Sequence, residues 1–333
     1  MINSRFDDTY SRATAVSSFS SCSDLFPPTL LTPSSANRRV GIPLVLLAGI
    51  FWSTSGILYR LIQEATPWQV LLYRSLALLA ALSLWLGWRY RGQVRDTLRK
   101  AGLPALAGGL CLGTAFSGYI LALEYTTVAN AMFLLASAPF FAALAGWMIL
   151  GERIALYMWA AMTVAAVGIG IMAGEELSLG KGLGEGFGLV AALGFAGLTI
   201  SLRMRPGTDK LITIFFATVV ASLYGLGGIG FSGWEFSIPW RDLMNCLGMG
   251  WFQIGLGFVL FTAGAKHLQA VELTLLSLTE VIAGPIIVWI GIGEIPSVSS
   301  ITGGALILAA ITLMALMGAK ASGPKPPFEA PIS

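Results

Sequence analysis

Ten apolar runs of roughly twenty residues limit what this chain can become more than any other feature. They fall at about 41–63, 67–88, 103–123, 127–150, 154–174, 187–203, 211–231, 243–264, 270–292 and 297–318. Twenty helical residues at ~1.5 Å each cross a ~30 Å hydrocarbon core. Inside that core only helices and closed barrels satisfy their own backbone. The runs do not alternate with the period of two that barrel strands require. The expected fold class is therefore all-α integral membrane, with ten transmembrane helices. Charged residues make up only 11% of the chain, about half the share usual in soluble proteins.

The runs repeat. Trp147, Gly151 and Glu152 recur as Trp289, Gly293 and Glu294, each 142 residues later. Thr66 and Arg60, at the flanks of spans 2 and 1, meet Thr208 and Arg203 at the flanks of spans 7 and 6. A period of this length holds five spans. Five is odd, so the second copy enters the membrane upside down. The expected organisation is a first repeat at 38–174 and an inverted second repeat at 175–318, between tails at 1–37 and 319–333. Both tails read as disordered: the first is polar and serine-rich, and the last holds four prolines. The first lacks the apolar core of a signal peptide; a start near Arg38 is an alternative reading. Inverted repeats are an architecture of secondary transporters, with the binding site near the midplane between the halves.

Orientation follows from the basic residues. With the N-terminus cytoplasmic, 16 of the 20 Lys and Arg fall in inside segments and three (Arg60, Lys181, Arg241) outside, with Arg74 within a span. The positive-inside rule then puts both termini in the cytoplasm, in a bacterial inner membrane. The single histidine, His267, and three scattered cysteines, Cys22, Cys111 and Cys246, offer no metal site, triad or disulfide framework. The glycine-rich stretch 180–188 follows no strand, so it is not a phosphate loop. No nucleotide cofactor, metal or nucleic acid is expected. The expected partners are a small-molecule solute and the lipid bilayer, with either protons or the solute gradient itself as the driving force; oligomeric state is unknown.

Four stretches carry a resemblance: AGIFWSTSGI (48–57), LLYRSLALLAALSL (71–84), APFFAALAGWMILGER (138–153) and TEVIAGPIIVWIGIGE (279–294). In order and doubled, they resemble the drug/metabolite transporter superfamily in its ten-span, two-EamA-domain form. The resemblance covers 41–318. It implies a ten-helix basket with a central cavity lined mainly by spans 1, 3, 4, 6, 8 and 9, and transport of small organic solutes, often as export. Two departures stand out. Val281 follows Glu280 where many members have proline, the nearest proline being Pro285. Arg74 has Phe216 at its matching position.

Candidate functional residues are the polar and aromatic groups inside the spans. Arg74, in span 2, is a costly charge in hydrocarbon and reads either as a counter-charge for an anionic substrate group or as a packing arginine. Glu280, near the middle of span 9, is the candidate for a protonation-coupled switch. It reads equally as a structural carboxylate that pairs with Arg74 or caps a broken helix. Its counterpart in the first repeat is Ala138. Trp52, Ser53, Thr54 and Ser55 form a polar notch in span 1, and Phe195 sits at the place in span 6 that matches Trp52. The expected substrate-binding set is Trp52, Ser53, Ser55, Tyr119, Asn130, Ser137, Phe195, Gln253 and Ser277. Gly151, Glu152, Gly293 and Glu294 read as structural turns, each glycine ending one helix and each glutamate favouring the N-terminus of the next. Gly109, Gly113 and Ser117 form a small-residue stripe for close helix packing.

The expected function is a secondary transporter that moves a small organic metabolite, an amino acid or relative, outward across the inner membrane by alternating access. An importer of the same fold is the alternative within the class. An integral membrane enzyme or lipid-handling protein is the alternative outside it, and the lack of clustered His, Cys or paired carboxylates speaks against that.

Overall fold

In the computed structural model, residues 35–91, 93–178, 182–204 and 210–321 are described. Lys181, Thr208 and most of both tails lie outside them. The described residues form thirteen α-helices and one π-helical segment. In order these are α1 (Ser35–Ser53), α2 (Ser55–Arg60), α3 (Pro67–Tyr90), α4 (Val94–Tyr125), α5 (Val128–Ala136), α6 (Ala138–Leu150) and α7 (Leu156–Ser178). The second half holds α8 (Leu183–Met204), α9 (Lys210–Ser232), α10 (Trp240–Gly248), the π segment Met249–Leu256, α11 (Gly257–Ala265), α12 (Ala270–Ile292) and α13 (Val298–Ala321). They make ten candidate spans, five in each repeat. Spans 1 and 4 are each two helices, and span 8 is α10, the π segment and α11.

Boundaries differ from the sequence reading at three places. Helix α1 begins at Ser35 and α13 ends at Ala321, each three residues into a stretch read as tail. Helix α4 starts at Val94 rather than near 103. Gly102, at φ 71°, interrupts it just ahead of Pro104. Residues before that glycine form a short helix that leads into span 3.

The breaks within spans 1 and 4 have a local cause. Ser53 donates to Ile50 O (2.7 Å) and Thr54 to Phe51 O (2.6 Å). Ser137 donates to Leu134 O (2.5 Å). Hydroxyls that bond back one turn bend helices, and Pro139 in the first turn of α6 cannot donate to the helix before it. Helix α12, by contrast, runs unbroken through Glu280 and past Pro285. Glu280 therefore caps no helix end, which removes that reading of its role.

The halves interdigitate. Helix α1 packs on α11 and α12, α8 packs on α4, α5 and α6, and α3 packs on α9. Spans 5 and 10 pack on each other through α7 and α13. Each repeat thus lends its first span to the hairpin of the other. Glycines permit the closest of these contacts. A Cβ on Gly109 would lie 2.4 Å from Phe216 Cβ on α9, and one on Gly113 would lie 2.7 Å from Val220. The stripe read from the sequence is thus the α4 face that receives span 7.

Replacing Gly109 by valine should force α4 and α9 apart. The expected loss is about 2 kcal/mol or more of unfolding free energy, typical of overpacking. Denaturant titration of the purified protein in detergent measures it; Gly87→Val, where a Cβ meets nothing within 4 Å, serves as the control.

Candidate functional site

Near the middle of the bundle lies a cavity of about 290 Å³. Its walls come from both repeats. Trp52 arrives from α1 just before the break, and Phe195 from α8. Span 3 gives Phe116 and Tyr119, span 4 gives Met132, Leu135 and Pro139, and span 8 gives Gln253 and Phe258. Span 9 contributes Thr274, Ser277, Glu280 and Val281. Arg74 also lines it. Span 2, which contributes this one residue, is an addition to the spans the resemblance implies as the main lining. Span 10 adds Ile311.

The polar groups of this cavity are few and poorly partnered. Arg74 is 2% exposed and fully surrounded by protein. Its Nη2 donates to Phe116 O at a long 3.4 Å, and its guanidinium carbon sits 5.4 Å from the Phe116 ring centre. Its Nε has no hydrogen-bond partner. Gln253 sits within the π segment and donates to Trp52 O (3.3 Å), while its Oε1 is unpartnered. A π segment widens the helix by one residue per turn and is common at functional sites. Among the described residues, no ion pair joins Glu280 to Arg74. The structural pairing considered for them is therefore not formed. Trp52 packs edge-on against Phe258 and tilted against Phe261, both at 5.2 Å between ring centres. A buried polar group without a partner costs about 1–3 kcal/mol, and an unpaired charge more. The cavity thus holds one cation, one carboxyl group and one amide acceptor against an aromatic wall.

The remaining expected site residues lie elsewhere. Ser53 and Ser137 are fully buried and bonded to their own helices. Ser55 shares a 2.8 Å hydrogen bond with Tyr119, so it supports the cavity wall from behind. Asn130 is farther away, in a network toward one membrane face. Its Nδ2 donates to Glu185 Oε1 (3.1 Å), and its Oδ1 accepts from Ser300 (2.6 Å). Thr126 also donates to Glu185 (2.6 Å). Those bonds occupy Asn130, so it has no group to offer the cavity. Met132 and Leu135 of the same helix line the cavity, so Asn130 lies on another face of α5, the one turned to Glu185 and Ser300.

The two Gly-Glu turns do more than end helices. Gly151 and Gly293 adopt φ 68° and 75°, left-handed values that favour glycine. The glutamates do not cap the next helices, which start at Leu156 and Val298. Instead Glu294 pairs with Arg60 (2.8 Å) and Glu152 with Arg203 (2.8 Å). Each pair joins the end of one repeat's first span to the other repeat's hairpin. The sequence held the signal, since both charges recur at nearly the same offset. A second cavity, of about 400 Å³, includes Glu152, Arg153 and Arg203 in its wall. It shares Ala138, Pro139 and Phe195 with the first, so the two adjoin.

A doubled, all-helical, ten-span membrane fold with a site at the junction of its halves defines a polytopic membrane protein of transporter type. The sequence profile of the EamA-like transporter family matches residues 39–174 and again 182–316. The chain belongs to that family, within the drug/metabolite transporter superfamily. It is similar to a protein called an uncharacterized transporter from Archaeoglobus fulgidus, 26% identical over 204 residues, 59% of this chain and 70% of the relative. Another uncharacterized transporter, from Vibrio cholerae, is 28% identical over 194 residues, 57% of this chain and 62% of that relative. A solved crystal structure shares the fold at TM-score 0.59 and 18% identity, covering 84% of this chain and 98% of its own.

The two ion pairs should differ in strength. Arg60 is partly buried and also donates to Leu123 O and Thr126 O, each at 2.8 Å, whereas Arg203 and Glu152 are 47% exposed. Arg60→Ala should lower unfolding free energy by about 2–3 kcal/mol, and Arg203→Ala by less than about 1 kcal/mol. Equilibrium unfolding of both variants in detergent gives the comparison.

Proposed function

We propose that this chain is a secondary transporter of small zwitterionic metabolites with an apolar or aromatic body, amino acids being the simplest members. The carrying observation is the unpartnered Arg74 Nε in a cavity that Glu280 also lines. A substrate carboxylate would relieve the guanidinium, and its ammonium would face Glu280 and Gln253 Oε1. The apolar body would lie against Trp52, Phe195 and Phe258. An uncharged apolar solute would leave the Arg74 guanidinium unsatisfied.

In this reading the solute reaches the cavity from one face at a time, by alternating access. The excess of Lys and Arg at the Arg203 face supports assigning it to the cytoplasm, with both termini there, and to a bacterial inner membrane. The two repeats, 38–174 and 175–318, are the moving parts. The family resemblance favours export. Glu280 carries the proton when transport is proton-coupled, since it is the cavity's titratable carboxyl group.

Counterflow of radiolabelled phenylalanine, leucine and their decarboxylated amines into proteoliposomes tests this. Wild type should exchange the zwitterions and not the amines. Arg74→Met, similar in volume without the charge, should reduce exchange at least about tenfold. Retained exchange in that variant would sink the substrate assignment. Glu280→Gln should abolish the response of flux to an imposed pH gradient; a wild type indifferent to that gradient removes the proton from the mechanism and leaves transport intact. Cells that overproduce the chain should gain resistance to toxic analogues of an exported substrate, and sensitivity would mean uptake.

A further inference from the structure

The two ion pairs are equivalent by the repeat, yet their surroundings are not. At the Arg60 face the pair also grips the turn of the opposing hairpin, between α4 and α5. Arg60 donates to Leu123 O and Thr126 O, and Glu294 Oε1 accepts from Val128 N at 2.7 Å. Val128 is the first residue of α5 after its N-cap Thr127. Its amide is one that no helix can satisfy internally. At the other face, Arg203 and Glu152 bond each other. Among the described residues, neither bonds the turn between α11 and α12 at 265–270.

That turn is the matching one. Thr127 and Gln269 are the N-caps of α5 and α12, so Val128 and Ala270 are equivalent first residues. Helix packing has the same asymmetry. Helix α5 packs on α12 and α13, whereas the first half of α12 makes no comparable contact with α6 or α7. Close approaches agree: Cβ atoms on Gly56 and Gly291 would lie 2.3 Å from Val128 and 2.4 Å from Ile57. The cavity along the Arg203 face shares Ala138, Pro139 and Phe195 with the central one, whereas the cavity at the Arg60 side, between spans 2, 3, 6 and 7, shares no wall residue with it.

We propose that the two ion pairs are alternating clamps, each of which captures the backbone of the facing hairpin turn in one state and releases it in the other. The proposal rests on the alternating-access reading above. Here the Arg60–Glu294 clamp is engaged and the Arg203–Glu152 clamp is idle. In the opposite state Arg203 donates to carbonyls at Ala265 and Leu268, Glu152 accepts from Ala270 N, and Arg60 and Glu294 release residues 123–128. Neither ion pair breaks during the exchange. Each stays as a fixed arm, and only its hold on backbone groups changes. The arm is charged and the target is main chain, so the latch depends on the turn's shape and not on its side chains.

A test exploits proline at the first helical position, where it is tolerated and lacks only the N–H. Val128→Pro deletes the engaged clamp's donor and keeps both ion pairs; Ala270→Pro deletes the idle clamp's donor. Reporter cysteines at Ile57 and Thr199, equivalent positions on the two faces, are introduced into full-length protein whose own cysteines are serine. They are labelled by a soluble maleimide in nanodiscs, where both faces are open to reagent. The parent should label Thr199→Cys faster. Val128→Pro should move the rate ratio toward Ile57→Cys by about tenfold or more, as loss of a hydrogen bond to a charge implies. Ala270→Pro should not raise Ile57→Cys labelling. Arg60→Lys, which keeps the ion pair but loses the forked donation, should shift the ratio in the direction of Val128→Pro and guards against a proline variant that misfolds. An unchanged ratio in folded Val128→Pro or Arg60→Lys, or an equal rise in Ala270→Pro, overturns the clamps. Solute-dependent reciprocal labelling in the parent, alongside an unmoved Val128→Pro, overturns the clamps alone and leaves alternating access standing. Reporters that never change reciprocally, even with solute, overturn both.

Discussion

Parity decides most of this molecule. A repeat that crosses the membrane an odd number of times must alternate its orientation, so any surface shared by both copies appears once on each face. The Gly-Glu turns, the arginines that end spans 1 and 6, and the N-caps of α5 and α12 all obey this rule. Two ion-paired turns of similar chemistry result without separate invention. In this structure they differ in their surroundings: the Arg60 pair also bonds the backbone of residues 123–128, and the Arg203 pair lies beside a cavity.

The cavity shows the opposite logic. There the halves have diverged: Arg74 faces Phe216 in the comparison of repeats, and Glu280 faces Ala138. The boundary between the inverted halves is therefore unequal in charge. The ionisable groups are on spans 2 and 9, and the aromatic surfaces come from spans 1, 3, 6 and 8. The Arg74 guanidinium Nε and the Gln253 amide oxygen are both buried there without a hydrogen-bond partner, each at an energetic cost.

The spans, the doubling and the inversion were legible in the sequence because hydropathy and spacing are one-dimensional signals. So was the notch in span 1, where Ser53 and Thr54 announce a back-bonded bend. Glu280 and Arg74 stood out as charges in apolar runs. What could not be read was which face of each helix looks inward. Asn130 is polar and in span 4, like the cavity residues, yet it lies on the face of α5 turned toward Glu185 and Ser300, while Met132 and Leu135 face the cavity. Span 2 appeared peripheral, but Arg74 is long enough, and its helix close enough to the π segment, to reach the cavity. The glutamates of the Gly-Glu turns were read locally, as helix-end charges, and their partners proved to be 234 and 51 residues away. Local rules see neighbours along the chain, and these contacts exist only once the two copies have met.

The lending of first spans between halves bears on ancestry. Span 1 packs on spans 8 and 9, and span 6 on spans 3 and 4. Neither half is a closed body, and the mate each needs is a copy inserted the other way up. A single five-span chain of this kind could complete itself only by entering the bilayer in both orientations and pairing with an inverted copy of itself. Joining two copies end to end removes that requirement, and it frees each copy to acquire its own charges.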